Sequence, residues 1–240
     1  MKILYTILVL TICTYATDLT QKITKLTQIN ANQATIQIGN LAIGQSGIII
    51  NENNSKKAVI ICFATVINSN EKESTLKFNF KEIIQQDAIP KTNRQPKVGD
   101  KFILNHLYQN SMIIAPNFKT NDDIKKLYGE WNFLDSDLFA AYLKINNTPA
   151  PKKKDILEFA HKNELGTILF AFDNKLFIVD TVSFLPIKNI DFTIDDNTTH
   201  SPFYTNVDEI KTGTFSFFEE ESIGDYNKYY KKLLGIEDGK

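Results

Sequence analysis

Apolar and polar positions change period twice along this chain. From residue 22 to about 116 the apolar residues come in short runs, and Thr75-Leu76-Lys77-Phe78-Asn79-Phe80 sets Leu76, Phe78 and Phe80 on one face. That two-residue alternation belongs to a half-buried strand. Runs of the same kind predict strands at residues 23–29, 33–38, 47–51, 57–68, 74–80, 101–108 and 111–115. Asn53-Asn54-Ser55, between two apolar runs, tolerates the left-handed conformations of a hairpin turn. Pro90, Pro96 and Gly99 interrupt residues 88–99, which predicts a loop crossing the unit. The first half is thus predicted to be a barrel-like or sandwich structure.

After Pro116 the period becomes helical. Thr120 with Asp123 gives a capping-box-like start, Ile124, Leu127 and Tyr128 follow at one-turn spacing, and Gly129 marks the stop. A second helix opens on Asp135 and Asp137, where the helix dipole favours acids, and is predicted to bury Leu138, Phe139, Tyr142 and Leu143. A third begins near Pro151, carries Ile156, Phe159 and Ala160 on one stripe, and stops at Gly166. Strands then return at residues 167–172 and 176–179 around the tight turn Asp173-Asn174-Lys175, with one more within 183–192. The tail is polar to about Phe215 and ends in a helix whose Tyr226, Tyr229, Tyr230, Leu233 and Leu234 form a single apolar stripe, closed by Gly235. Tyrosines flanked by Lys228, Lys231 and Lys232 also suit a membrane surface, but a helix this short is predicted to dock on its own core, leaving at most peripheral membrane contact. The fold class is α+β: a strand-rich unit at 17–117, an α/β unit at 118–192, and a tail at 193–240 with an amphipathic C-terminal helix.

Composition adds compartment and partner class. Lys2 followed by the apolar run 3–14 reads as a signal peptide, with Thr14-Tyr15-Ala16 as the cleavage site and Thr17 as the first mature residue. Ile12 ahead of Cys13 argues against a lipoprotein cut there. Losing Lys2 takes the formal charge from -1 to about -2, too small a field to attract nucleic acid. Arg94 is the only arginine among 27 basic residues, so bidentate clamps on phosphate are almost absent. Cys62 is the single cysteine of the mature chain and lies in an apolar strand, so no internal disulfide can form and the thiol is predicted to be a buried small hydrophobe.

The search for catalytic chemistry yields little. His106, His161 and His200 are far apart and none stands in a metal-binding spacing. Gly44-Gln45-Ser46-Gly47 lacks the second glycine position of a nucleophile elbow and reads as a turn before the strand at 48–50. The acidic pairs Asp122-Asp123 and Asp195-Asp196 and the run Glu219-Glu220-Glu221 read as solvated faces. No phosphate-cradling or dinucleotide loop is present. No catalytic residue, cofactor or metal site is predicted, and the protein is read as non-enzymatic.

Several short strings do form a pattern. They are Gly44-Gln45-Ser46-Gly47-Ile48, Gln85-Gln86-Asp87-Ala88-Ile89-Pro90, Val98-Gly99-Asp100, Leu107-Tyr108, Ile113-Ile114-Ala115-Pro116-Asn117, Asp137-Leu138-Phe139-Ala140-Ala141, Pro151, Gly166 and Val179-Asp180 with Ser183-Phe184. In this order they resemble the N-terminal domain family of plasminogen-binding proteins from the envelope of host-associated Gram-negative bacteria. The resemblance runs from about residue 25 to 192. It departs at Gln109-Asn110, where a charged pair is expected, and in having no counterpart of the long charged C-terminal region common in relatives. It implies an exported protein, at the cell surface or in the periplasm, that captures host plasminogen. Kringle modules bind a lysine by its ammonium, its stem and a neighbouring carboxylate, so the plasminogen-binding residue is expected to be Lys240, in the mobile end Glu237-Asp238-Gly239-Lys240. The alternative is a periplasmic module of envelope assembly without host binding. Asn197, in Asn197-Thr198-Thr199 with Asp195 two residues before it, is a candidate glycosylation site.

Overall fold

The computed structural model describes residues 18–52, 58–80, 94–194, 198–207 and 223–236. The leader at 1–16, the turn at Asn53-Asn54-Ser55, the string 85–90, Asn197 and Lys240 lie outside the described residues.

The first half closes into a barrel. Strands β1 (Lys22–Asn30), β2 (Gln33–Ile36), β3 (Ser46–Glu52), β4 (Ala58–Ser69), β5 (Ser74–Asn79) and β6 (Lys101–Leu104) pair in the cyclic order β1-β2-β5-β4-β3-β6. Every pairing is antiparallel. Closure removes the unpaired strand edges that invite aggregation. A barrel this small has room inside only for its own side chains. Leu26, Ile36, Ile49, Cys62, Val66, Leu76, Phe78 and Phe102 fill it. The alternation read from the sequence therefore sorts inside from outside, with one correction: Phe80 lies beyond the end of β5 and is 46% exposed, so it does not share the buried face of Leu76 and Phe78. Cys62 is 5% exposed, and burial, helped by the charge of Asp100, pushes its thiol up to about 12. It is an inert core residue.

A second sheet carries the helices. Its strands are β7 (Asn110–Ile114), β8 (Asn132–Leu134), β9 (Thr167–Phe172), β10 (Lys175–Asp180) and β11 (Pro186–Asp191), in the order β11-β10-β9-β7-β8. Helix α1 (Phe118–Leu127) links β7 to its parallel neighbour β8, and α2 (Ser136–Asn146) with α3 (Lys153–Lys162) leads to β9, also parallel to β7. The remaining pairs are hairpins. Asp173 and Asn174 turn the first of these at φ of 50° and 52°, the mirror-image turn that matches strand twist. The strand β8 is too short to show a period and was not predicted.

Both faces of this sheet are covered, so β9 is buried at every position, as a parallel-type central strand must be. Ile168, Phe170 and Phe172 meet α2, α3 and the C-terminal helix α4 (Tyr226–Leu233) on one side. Leu169 and Ala171 meet Ile124 of α1 on the other. The helix α4 docks as its stripe predicts: Tyr226, Tyr230 and Leu234 are buried, and Tyr230 OH donates to Pro202 O at 2.6 Å.

Helix details correct the sequence reading at two places. Asn117, not Thr120, caps α1; its side chain accepts from Thr120 N at 2.9 Å. In α2, Phe139, Ala140 and Leu143 are buried while Leu138 is 52% exposed and Tyr142 half-buried. The helix turns a narrower face to the core than its apolar residues suggest.

Candidate functional site

A buried polar joint holds the barrel against the second sheet. Its centre is Asp180, the last residue of β10 and wholly buried. One carboxylate oxygen accepts from Ser46 Oγ at 2.5 Å and Tyr108 OH at 2.6 Å. The other accepts from Val182 N at 2.9 Å and Ser183 N at 2.6 Å. Ser46 N donates in turn to Tyr108 OH at 2.8 Å. Burial raises the Asp180 carboxyl above the ordinary carboxylate range, against the opposing pull of these hydrogen bonds. Burial also drives the Tyr108 phenol well up, reinforced by the Asp180 charge, so Tyr108 stays a donor. An acid at the end of an apolar strand is thus a fastener here: its donors come from β3, from the β6–β7 connection and from its own turn.

Neighbouring residues extend the joint. Gln45 Nε2 donates to Asn105 Oδ1 at 3.0 Å and its Oε1 accepts from Ala42 N at 2.6 Å. Asn105 Nδ2 reaches Thr20 O at 2.8 Å. Gly44 has φ of +96°, and a Cβ there would lie 2.8 Å from Leu185 Cβ. A Cβ on Gly166 would come within 2.4 Å of Leu107 O. The strings Gly44 to Ile48, Leu107-Tyr108, Gly166, Val179-Asp180 and Ser183-Phe184, scattered through the sequence, converge on one contact surface.

Three of the other strings, at Asp100, Asn117 and Asp137, are structural as well. Asp100 accepts from Asn51 Nδ2, Arg94 Nη2 and Lys97 N and is 5% exposed. Asn117 caps α1 and donates from Nδ2 to Thr198 O at 3.1 Å. Asp137 accepts from Thr205 Oγ1 at 2.6 Å and Asn206 N at 2.7 Å, tying residues 204–207 to α2. Burial alone would raise the Asp137 carboxyl, but these bonds hold it below its usual value.

Beside the joint lies a cleft of about 310 Å³. Ile60 and Phe63 of β4 form one wall; His106 and Leu107, the end of α3 with His161 and Glu164, and Val182 form the other. The two histidines that stand 55 residues apart in sequence therefore meet in one place, which their spacing did not reveal. His161 Nε2 lies 3.0 Å from Thr181 O, which requires that nitrogen to carry a proton and donate. Burial holds the His106 ring below its usual pKa, with Glu164 pulling the other way. His200 is remote from the cleft and sits edge-on to Tyr204. Among the described residues no group of three or more His, Cys, Asp or Glu side chains is arranged to hold a metal ion. Ser46 Oγ is committed to Asp180. The sequence signals that point to this region are the strings Leu107-Tyr108 and Gly166 themselves, which the structure shows as left-handed backbone at Leu107 (φ 61°) and a close approach at Gly166.

Comparison with known proteins gives a family for this architecture. A family model described as "Plasminogen-binding protein pgbA N-terminal" matches residues 21–234. Two relatives, each named plasminogen-binding protein PgbA and from two strains of Helicobacter pylori, are 25% and 24% identical over 202 residues. The match covers 83% of this chain but 44% of each relative, so the chain spans less than half their length.

Proposed function

This chain belongs to the family of plasminogen-binding protein pgbA N-terminal domains, and from that premise we propose that it is an exported, non-enzymatic envelope protein that binds host plasminogen through an exposed lysine. The observation that carries the reading is the match over residues 21–234, nearly all of the barrel and sheet. A surface or extracellular setting follows from the partner, and no described helix is long and apolar enough to cross a membrane.

Lysine chemistry narrows the choice of residue. A kringle docks a lysine by meeting its ammonium with carboxylates and its own carboxylate with cations. Several exposed helix lysines already face an acid one turn away: Lys119 with Asp123, Lys126 with Asp122 and Lys162 with Glu158. Such pairs are weak, about 0.2–1 kcal/mol, yet they bias those ammoniums toward the chain's own acids. Lys240, the lysine singled out by the sequence, is the residue proposed to enter the kringle. Binding of plasminogen by the mature chain is expected to be competed by 6-aminohexanoate and to weaken at least about tenfold on deletion of Lys240, a loss of about 1.4 kcal/mol. Full affinity after the deletion, or indifference to the competitor, refutes the assignment.

A second reading has its own support. Among the described residues, family strings supply internal fastening at Asp180, Asp100, Asn117 and Asp137, which is what a periplasmic scaffold of envelope assembly would also require. Protease shaving of whole cells separates the two, since a surface binder is removed and a periplasmic module spared. Asn197 remains a proposed glycosylation site, and intact mass of the native protein equal to that of the bare chain would rule it out.

A further inference from the structure

We infer that the cleft between the barrel and the second sheet is a binding site for a small organic ammonium with an apolar body about the size of one aromatic ring.

Size and lining set the body of the ligand. A volume near 310 Å³ lies at the lower end of small-molecule pockets, and junctions between structural units are where such pockets concentrate. Ile60, Phe63, Leu107, Leu165 and Val182 supply apolar walls. Ile60 is 51% exposed, so the described residues leave apolar surface of the cleft uncovered.

Charge sets the head group. Glu164 stands at the mouth and is exposed. Helix α3 ends at Lys162, and although Phe159 O, Ala160 O and His161 O are capped by following backbone N–H groups, the negative end of its dipole lies beside the same opening. Of the basic groups nearby, His161 is held by Thr181 O and the other two are offset. Lys162 Nζ is bonded to Glu158 at 2.8 Å, one turn back, and the partly buried His106 ring is disfavoured as a cation. A cationic head is attracted and a carboxylate head repelled.

Backbone geometry adds a third support. Leu107 and Glu164, which both line the cleft, hold left-handed backbone at φ of 61° and 54°. A non-glycine residue at such a φ costs about 1–3 kcal/mol and persists where its surroundings fix it. Here the packing of Gly166 on the Leu107 carbonyl does so, and the result is a fixed wall.

The test uses the full chain, labelled with nitrogen-15, titrated with 2-phenylethylamine, 2-phenylethanol and 3-phenylpropionate. Saturable shifts of the Leu107, Gly166 and Val182 amides are expected with the amine, with affinity about 3- to 5-fold above that of the alcohol and the carboxylate weakest, the advantage of one partly exposed ion pair. Glu164→Gln is expected to bring amine and alcohol to equal affinity while leaving alcohol binding intact. Ile60→Trp, at a half-exposed position, is expected to fill the mouth and abolish all three. Absence of saturable shifts at those amides, equal affinity of amine and alcohol for the native chain, or an amine preference that survives Glu164→Gln overturns the inference. None of these readouts depends on plasminogen binding.

Discussion

At the scale of single residues, two carboxylates respond to pH in opposite senses. The Asp180 carboxyl is raised in the folded protein, so folding binds a proton that the unfolded chain lacks between the usual carboxylate value and the raised one. That contribution to stability is fully present below the unfolded value and is lost as pH rises through the folded one. The Asp137 carboxyl is lowered; its contribution is present above the ordinary value and is lost as pH falls through the folded one. Urea unfolding followed across pH is therefore expected to lose its downward component in Asp180→Asn and its acid-side loss in Asp137→Asn. Asp180→Ala is more severe, because Ser46 Oγ, Tyr108 OH and two backbone N–H groups are left buried without an acceptor. Its expected cost is about 3–5 kcal/mol by chemical denaturation.

Elements show which apolar residues matter. In α2 Phe139 is fully buried and stacked on Phe203 at 5.4 Å, whereas Leu138 is 52% and Ile145 80% exposed. Phe139→Ala is expected to cost about 3–5 kcal/mol, while Leu138→Glu and Ile145→Glu stay within about 0.5 kcal/mol. Equal costs in denaturation would mean that the helix is rotated. The helix α4 separates packing from hydrogen bonding. Tyr230→Phe removes the bond to Pro202 O, and its expected cost is about 1 kcal/mol. Tyr230→Ala empties a site between α4 and Phe170 of β9 and is expected to release α4, read as fast amide exchange over Tyr226–Leu233.

For the whole molecule the question is whether barrel and sheet unfold together. Each half carries its own reporter: Cys62 inside the barrel, and Trp131, the only tryptophan, packed with Phe133 and Tyr128 on the second sheet. The buried joint couples them, so Cys62 labelling and Trp131 fluorescence are expected to report one coincident transition. Asp180→Ala is expected to separate the two curves. Coincidence in that variant would show that apolar contact alone holds the halves together.

Period decided most of the elements in advance. The alternation at Leu76 and Phe78, the Asp173-Asn174 turn and the tyrosine stripe of α4 each follow from contacts within a few residues, and the α+β class follows from their order. The exceptions were short or marginal: β8 has three residues, and Leu138 is apolar yet points outward. The joint and the cleft have a different origin. Ser46 and Asp180 are 134 residues apart, and His106 and His161 line one cleft although they come from the β6–β7 connection and from α3. Local spacing fixes which face a side chain takes, because rotation per residue is set by the backbone; which distant faces share one surface is set by how closed layers pack, and that packing exists only in three dimensions.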